Sequence, residues 1–198
     1  MNYNNEIIVA IEGIDGAGKT TLIKEIFKVL QNDAVVYKRT EKGIFINKLL
    51  NQKIIKKHHL LQAPIYLFLS HKNYIIFKKQ RSKSIIIMDR CFLSNICYFF
   101  PKALSNEKLL NFLLKFDIKL IPQIIFILDV NPAIGQARDG NKKSIEWLQT
   151  TRNAYLNTNK SLITKWIDVV IIDENLSIKN KADFIVKYIK EKTKNGNR

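Results

Sequence analysis

The sequence predicts an α/β fold, in which a five-stranded parallel sheet lies between two layers of helices. Five short runs rich in Ile and Val recur along the chain, and a longer segment of mixed polarity follows each run. Near-continuous apolar runs are typical of parallel strands that helices cover on both faces. Their alternation with helical segments favours a three-layer α/β/α arrangement. The predicted strands are residues 7–11, 35–37, 84–88, 124–130 and 169–172.

The segments between these strands have helical periodicity. No internal repeat or linker interrupts the pattern, and 198 residues fit one domain. We therefore expect a single domain over residues 1–198, in which only the tail 192–198 is frayed. Ser177 is a plausible N-cap for the last helix. The predicted helices are residues 20–30, 60–79, 104–116, 145–165 and 177–190.

The composition argues against a disordered or membrane-embedded protein. Hydrophobic residues make up 46% of the chain and charged residues 25%, which are ordinary values for a globular protein. Apolar runs such as 124–128 are far too short to span a bilayer. Residues 1–5 lack the charged start and the cleavage site of a signal peptide. We expect no membrane partner and a cytoplasmic location.

The net charge of +16 is the one unusual bulk property. It is compatible with a nucleic-acid partner, with phosphate-rich small substrates, or with a residue bias toward Lys and Ile. The lysines are scattered through the whole chain without an interleaved aromatic stripe, which favours a generally basic surface over a DNA-binding groove. Cys91 and Cys97 form no metal-binding pattern, so we expect reduced thiols.

A phosphate-binding loop follows the first predicted strand. Residues 13–20 match G-x-x-x-x-G-K-[ST] and lie between a strand and a helix, as this P-loop requires. The glycines let successive N–H groups point at a phosphate, and the helix adds its positive end. We predict that Lys19 bridges the β- and γ-phosphates of ATP and that Thr20 binds Mg²⁺. The residues assigned to ATP binding are Gly13, Ile14, Asp15, Gly16, Ala17, Gly18, Lys19, Thr20 and Thr21.

Asp89 and Arg90 come at the end of the third predicted strand. Ligands of open α/β sheets bind at this carboxyl edge. An aspartate here can hold the water shell of Mg²⁺, and an arginine can bind a phosphate through its bidentate fork. A structural ion pair is the alternative interpretation, since such pairs also occur at sheet edges.

Three stretches, the first of which contains the P-loop, together resemble one enzyme family. Residues 11–21 include an aspartate, Asp15, that many other P-loops lack. Asp89-Arg90 is followed by Ser94, Asn95 and Tyr98, and the segment 122–132 is followed by Gly135 and Arg138. In these residues the chain resembles the thymidylate kinases, which are P-loop nucleoside monophosphate kinases. The resemblance implies phosphorylation of dTMP to dTDP with ATP and Mg²⁺, in dTTP synthesis, by a homodimer.

The resemblance also implies roles around the phosphates. Asp15 would accept a hydrogen bond from the deoxyribose 3′-hydroxyl. Arg90 would hold the acceptor phosphate, and Arg39 would approach that phosphate from the other side. Two arginines offset the charge of two phosphoryl groups brought together. Thr20 and Asp89 would hold Mg²⁺.

A second set of residues is implied to bind the thymine base and the sugar. Phe68 would stack on the base, and Lys72, one helical turn later, stands where the family usually has an arginine. Asn95 would read the base edge, Tyr98 would crowd a 2′-hydroxyl, and Tyr155 would help to close the pocket. The alternative for Phe68 and Tyr98 is that they are core aromatics.

Catalysis in such an enzyme consists of in-line positioning and of cations around the transferring group. Lys19, Mg²⁺ and Arg90 would supply most of it. Relatives with glycine at the position of Gly16 tend to add a basic residue from a lid, which here is short, at about residues 138–144. This lid offers Arg138, Lys142 and Lys143, and Arg138 is assigned both to ATP binding and to catalysis.

Two other functions stay open at this stage. A deoxynucleoside kinase, or a kinase for another nucleoside monophosphate, has the same P-loop. A nucleoside acceptor, however, leaves Arg39 and Arg90 without an obvious partner. A non-catalytic relative that binds nucleotides or nucleic acid is suggested by the short lid and the +16 charge.

Overall fold

The computed structural model of the chain describes residues 6–38, 84–117 and 121–195, and the single positions 62, 64–66, 68, 69, 71, 72 and 74 between the first two ranges. The predicted helix 60–79 falls largely outside the described residues, but those between 62 and 74 are helical. Arg39 lies outside them, and so does the end of the predicted tail, 196–198. The prediction of a frayed chain is wrong for residues 192–195, which continue the last helix.

The described residues contain one sheet of five strands, and every neighbouring pair in it is parallel. The order of the strands across the sheet is β2-β3-β1-β4-β5. This confirms the predicted five-stranded parallel sheet. The strands are β1 (Ile7–Gly13), β2 (Ala34–Lys38), β3 (Ile85–Asp89), β4 (Ile124–Leu128) and β5 (Asp168–Ile172).

The three inner strands are buried on both faces. Ile8 of β1, Ile86 of β3 and Ile125 of β4 are all fully buried, whereas the edge strand β5 is partly exposed along most of its length. Side chains of an inner parallel strand meet helices above and below, so a continuous Ile and Val run is the sequence that this position requires.

Helices cover both faces of the sheet, as a three-layer fold requires. One layer is made by α1 and α6, which pack on each other, with α1 resting on β1, β2 and β3. In the other layer α2 packs on β1 and contacts α3 and α5. The helices are α1 (Lys19–Leu30), α2 (Phe92–Phe99), α3 (Glu107–Asp117), α4 (Pro132–Arg138), α5 (Ile145–Asn157) and α6 (Ile178–Asn195).

Two helices end or begin where local side chains dictate. The prediction of an uninterrupted helix over 145–165 is wrong, because α5 ends at Asn157 and short 3₁₀ turns follow. Ser161 ends the first of these turns: its hydroxyl donates to the carbonyl of Thr158 at 2.8 Å and accepts the N–H of Ile163 at 3.3 Å, in competition with the helical ladder. The predicted cap of the last helix is confirmed, since Ser177 Oγ accepts the N–H of Asn180 at 3.1 Å.

The predicted strand 124–130 ends early, at Leu128. Asn131 caps α4 by accepting the N–H of Ala133 at 2.9 Å, and Pro132 stands at the first helical position. The predicted helix 104–116 likewise begins only at Glu107, because Asn106 accepts the N–H of Leu109 at 3.0 Å. Among the described helices, none combines the length and apolar character that a membrane crossing needs.

Candidate active site

The P-loop connects β1 to α1 at the carboxyl edge of the sheet. Gly13, Gly16 and Gly18 have φ angles of 137°, 75° and 88°, which residues with side chains rarely adopt. A Cβ on Gly13 would lie 2.7 Å from the carbonyl oxygen of Leu128, and a Cβ on Gly16 would collide with the backbone of Gly135 in α4. The loop therefore needs glycine both for its shape and for its packing on the segment that leads to the lid.

Lys19 is buried under this loop, with 7% of the residue exposed. Its Nζ donates to the carbonyl oxygens of Gly13 at 3.0 Å and of Ile14 at 2.6 Å. Burial, and after it the nearby Arg90 cation, lowers the pKa of Lys19 to about 7, although Asp15, Glu12 and Asp89 oppose the shift. The ammonium is thus held where a phosphate group would restore its charge.

Arg90 stands directly after β3 and reaches across to the P-loop. Its Nη2 donates to Asp15 Oδ1 at 2.5 Å, and its Nη1 donates to Ser94 Oγ at 3.1 Å and to the carbonyl oxygen of Gly13 at 3.3 Å. The backbone of Arg90 has a φ of 70°, an uncommon and strained value for a residue with a long side chain. The structure thus brings together two of the predicted site residues, Asp15 and Arg90, as an ion pair.

This ion pair controls the charge of Asp15. Burial alone would raise the pKa of the Asp15 carboxyl, but the cations of Arg90, Lys19 and Lys143 outweigh it and leave the pKa below its ordinary value. For Arg90, burial would lower the pKa, and Tyr98 and the carboxylates around the guanidinium raise it well above its ordinary value. Both groups therefore stay ionised at neutral pH.

The positions predicted for Mg²⁺ have the chemistry that this ion requires. Thr20 is exposed at the start of α1, and Asp89 lies close enough to the buried Lys19 to raise its pKa. Among the described residues no three His, Cys, Asp or Glu side chains cluster as a self-contained metal site. Mg²⁺ is typically held by one or two carboxylates together with substrate phosphates, so one hydroxyl and one carboxylate beside a phosphate cradle fit it.

Aromatic rings line the site next to Arg90. The guanidinium lies 5.3 Å from the ring centroid of Tyr98, whose ring packs against Trp147 at 5.0 Å and against Tyr155 at 6.1 Å. The Tyr98 hydroxyl is buried without a well-aligned hydrogen bond to a described residue, although it helps to hold Asp15 ionised. A buried hydroxyl without a well-aligned partner is suited to hydrogen-bond a ligand hydroxyl.

The predicted base-binding residues divide into exposed and buried groups. Phe68 is 61% exposed, so the interpretation of this residue as a core aromatic is wrong, and Lys72 is exposed as well. Asn95 is buried in α2, and Tyr155 is 1% exposed, beneath Tyr98. Tyr155 therefore supports the ring of Tyr98 from the core side, and direct contact of any of these residues with a base stays a prediction.

Comparison with known proteins decides the family. The family model described as thymidylate kinase matches residues 11–195 of the chain. The chain belongs to the thymidylate kinase family. It is 28% identical over 204 residues to the thymidylate kinase of Blochmanniella floridana, a match that covers 94% of this chain and 95% of the relative. It is 30% identical over 198 residues to the thymidylate kinase of Campylobacter lari, covering 92% of this chain and 99% of the relative.

A solved structure agrees on the fold. The crystal structure of thymidylate kinase from Ehrlichia chaffeensis matches with a TM-score of 0.67 at 20% sequence identity, and the match covers 94% of this chain and 98% of that one. The architecture is therefore that of a P-loop nucleoside monophosphate kinase, as the sequence predicted.

In this member of the thymidylate kinase family the predicted lid is a tight turn between α4 and α5. The side chain of Gln136 donates to the carbonyl oxygen of Lys143 at 2.7 Å, and Gly140 and Asn141 have φ angles of 71° and 57°. The lid cations point to different places. Lys142 pairs with Asp139 at 3.4 Å, whereas the Nζ of Lys143 lies 4.4 Å from the ring centroid of Trp147.

Arg138 is directed elsewhere. It is exposed at the end of α4 and lies near Lys181 of α6, whose pKa it lowers after the larger effect of burial. Lys143, by contrast, lies close enough to Asp15 to lower the pKa of that carboxyl. Of the three lid cations, Lys143 is the one that the structure brings toward the Asp15–Arg90 pair.

Two further residues of this site, Glu12 and Trp147, were not predicted from the sequence. Glu12 is fully buried and accepts hydrogen bonds from Ser94 and Tyr155, and Trp147 packs between Tyr98 and Lys143. A carboxylate inside an otherwise apolar strand, next to the first P-loop glycine, was the available signal for Glu12. Nothing in the local pattern distinguished Trp147 from a core residue.

Proposed function

We propose that this chain transfers the γ-phosphoryl group of ATP to dTMP and forms dTDP. The observation that carries the proposal is the Asp15–Arg90 pair, because it places an acceptor and a cation at the open side of a P-loop. A loop that binds only ATP needs neither group there. Membership in the thymidylate kinase family and relatives with that name over nearly their whole length support the same acceptor.

The donor side follows from the P-loop. Its backbone N–H groups and Lys19 hold the β- and γ-phosphates, with Thr21 next in α1. Arg138, which was predicted to bind ATP, lies near Lys181 of α6 instead, so we do not assign it to the donor phosphates. Thr20 and Asp89 hold Mg²⁺, which neutralises the charge that develops on the transferred group. Because Lys19 has a pKa of about 7, the phosphates that it meets also restore its full charge.

On the acceptor side, binding of dTMP separates Arg90 from Asp15. The phosphate of dTMP binds one edge of the Arg90 guanidinium, and the released Asp15 oxygen accepts a hydrogen bond from the sugar 3′-hydroxyl. Tyr98 packs on the sugar, with its hydroxyl facing the pocket. Phe68 is exposed enough to stack on the thymine, and Asn95, Lys72 and Arg39 complete the binding set as predictions.

Lys143 is the lid residue that we assign to the reaction. The transferring phosphoryl group lies between Lys19 and Arg90, next to Asp15, and Lys143 is the lid cation close enough to influence that carboxylate. Its Nζ lies 4.4 Å from the centroid of the Trp147 ring, a cation–π contact that holds the side chain beside the site. A lysine gives a point charge rather than a fork, so we expect slower turnover than with a lid arginine.

The alternatives are less well supported. A deoxynucleoside kinase acts on an acceptor without a 5′-phosphate and gives Arg90 no anion to bind.

A homodimer and a cytoplasmic location are further parts of the proposal, and they rest on the family resemblance. Sedimentation analysis of the purified chain tests the dimer, with a mass of twice 23.1 kDa as the expected result.

The function is tested by ADP release from MgATP with a panel of acceptors: dTMP, dUMP, dCMP, UMP, AMP and thymidine. We expect dTMP to be the best acceptor, with kcat/KM for dUMP lower by about 10- to 200-fold, because one methyl group is worth about 1–3 kcal/mol of discrimination. No acceleration by any monophosphate would overturn the proposal, and a preference for thymidine would favour a nucleoside kinase.

A further inference from the structure

The carboxylate of Glu12 is buried behind the acceptor side of the site. Glu12 is the last residue of β1 before Gly13, and it is fully buried. A carboxylate is costly inside a protein unless hydrogen bonds and cations compensate it. Its contacts therefore indicate what it does.

One oxygen of Glu12 caps α2. Glu12 Oε1 accepts the N–H of Cys91 at 2.7 Å and the N–H of Ser94 at 3.2 Å. Cys91 is the N-cap residue of α2, and its own side chain makes no capping hydrogen bond. In a capping box, two side chains of the helix share these two N–H groups. Here a single carboxylate from a strand takes both, and its negative charge suits the helix N-terminus.

The other oxygen joins α2 to α5 and to Arg90. Glu12 Oε2 accepts from Ser94 Oγ at 2.7 Å and from the hydroxyl of Tyr155 at 2.9 Å, and it lies 4.0 Å from Arg90 Nη1. Tyr155 in turn packs under Tyr98. Glu12 thus lies close to Arg90, and it reaches Tyr98 through one intervening residue, Tyr155. Arg90 and Tyr98 are the two groups proposed to face the acceptor.

The strained turn at Arg90 is held from both sides. The N–H of Arg90 donates to the carbonyl oxygen of Ile11 at 3.2 Å, and the next N–H, that of Cys91, donates to Glu12. A non-glycine residue with a φ of 70° keeps this conformation only when its surroundings fix it. Loss of the Glu12 contact would let the turn relax and move the guanidinium.

We propose that Glu12 is a positioning residue for phosphoryl transfer, which fixes the turn at Arg90 and the start of α2 and thereby holds Arg90 and Tyr98 toward the acceptor. This inference rests on the proposed function and adds a residue to it. Glu12 itself is expected to touch neither nucleotide, because it is fully buried. Its effect is therefore expected on the acceptor and not on ATP.

The substitution Glu12→Gln tests this with little change of shape. The amide oxygen can still accept the two N–H groups, but the amide nitrogen must now donate to Ser94 and Tyr155, whose hydroxyls have to turn. The charge next to Arg90 is lost as well. A merely structural role predicts lower stability with unchanged kinetic constants in the protein that remains folded.

Three measurements compare Glu12→Gln with the unsubstituted chain. We expect kcat/KM for dTMP to fall by about tenfold, the fold-change of one lost charge-assisted hydrogen bond. The Kd of MgADP by calorimetry should stay within about twofold. Hydrogen exchange of the peptide that contains residues 91–98 should become faster. In an Arg90→Lys background, Glu12→Gln should lower kcat/KM for dTMP by a smaller factor, because the effects of substitutions at residues that act through each other are not additive.

A matched control is Thr193→Val. Thr193 is also polar and is partly buried, but its hydroxyl donates to the carbonyl oxygen of Ile189 at 2.8 Å, near the C-terminal end of α6. This variant should lower the Tm without changing kcat/KM for dTMP. If Glu12→Gln fails to fold, Tyr155→Phe removes one donor to the same carboxylate and should act in the same direction, with a smaller loss.

Two results would overturn the inference. One is unchanged exchange and unchanged kcat/KM for dTMP in Glu12→Gln. The other is a loss of MgADP affinity as large as the loss on dTMP, which would assign Glu12 to the P-loop instead. If the unsubstituted chain phosphorylates no monophosphate, the proposed function fails, while the exchange of residues 91–98 still decides whether Glu12 fixes this turn.

Discussion

Arg90 donates to the carboxylate of Asp15 at 2.5 Å, and this ion pair joins the end of β3 to the P-loop. The two residues are 75 positions apart in the sequence, so only the parallel pairing of β1 with β3 brings them together. The Arg90 cation suits the phosphate of a nucleotide acceptor, and the Asp15 carboxylate suits its sugar 3′-hydroxyl. The affinity for dTMP therefore includes the free energy of separating them, and variants of either residue should report on acceptor binding.

Replacement of Arg90 should separate transfer from ATP binding. Arg90→Ala removes the cation that holds the acceptor phosphate, and we expect kcat/KM for dTMP to fall by about 10³-fold or more. MgADP affinity should change little, since the backbone of the P-loop and Lys19 bind the donor. Steady-state kinetics with calorimetry checks this, and a comparable loss of MgADP affinity would contradict the assigned role.

Asp15 is predicted to recognise the 3′-hydroxyl. Asp15→Asn keeps the size of the side chain. It weakens both the hydrogen bond that the side chain accepts from the 3′-hydroxyl and the interaction with Arg90, so kcat/KM for dTMP should fall about 10- to 100-fold. The sharper measurement compares dTMP with its 3′-deoxy analogue. The unsubstituted chain should prefer dTMP, and Asp15→Asn should lose most of that preference. Equal preference in both proteins would place the 3′-hydroxyl elsewhere.

The pKa of Lys19 predicts a proton linked to nucleotide binding. Since burial lowers this pKa to about 7, the amine is mostly neutral at pH 8 and above, and a bound triphosphate raises the pKa again. Binding at pH 8 should therefore take up close to one proton, and the affinity for MgATP should fall as the pH rises above about 7.

Calorimetry in buffers of different ionisation enthalpy measures that proton. Lys19→Arg is the matched control, because arginine keeps its charge throughout this range and should show no uptake. Proton release on binding, or uptake that persists in Lys19→Arg, would mean that another group titrates.

Lys143 and Lys142 are adjacent cations with different surroundings, which makes them a matched pair. Lys143→Met should lower kcat by about 10²-fold, as expected for one lost charge at the transition state. Lys142→Met should leave kcat nearly unchanged, because that residue is exposed and paired with Asp139. Equal effects of the two variants would remove the special role of Lys143.

The residues of the sheet and the P-loop were predictable because their signals are local. Ile and Val runs predict β1, β3 and β4, and the glycine and lysine pattern predicts the loop. Asp15 and Arg90 were identified as site residues, but their ion pair was not, since it depends on strand pairing over 75 residues. The end of α5 was missed because Ser161 acts through its own hydrogen bonds.

The contacts of Glu12 and Trp147 could not be predicted for a related physical cause. Each acts through residues from other elements, Glu12 on Ser94 and Tyr155, and Trp147 on Tyr98 and Lys143. A lone carboxylate in an apolar strand marks Glu12 as unusual, but its partners, like those of a tryptophan on a helix, become visible only when the packing of α2 and α5 is known.

The most direct test of the account is the ratio of kcat/KM for dTMP to kcat/KM for thymidine, measured as ADP release from MgATP by the purified chain. Arg90 beside the P-loop predicts that the 5′-phosphate is required, so dTMP should be favoured by about 10³-fold or more. A ratio near or below one would contradict a monophosphate kinase and leave the Asp15–Arg90 pair without its proposed purpose.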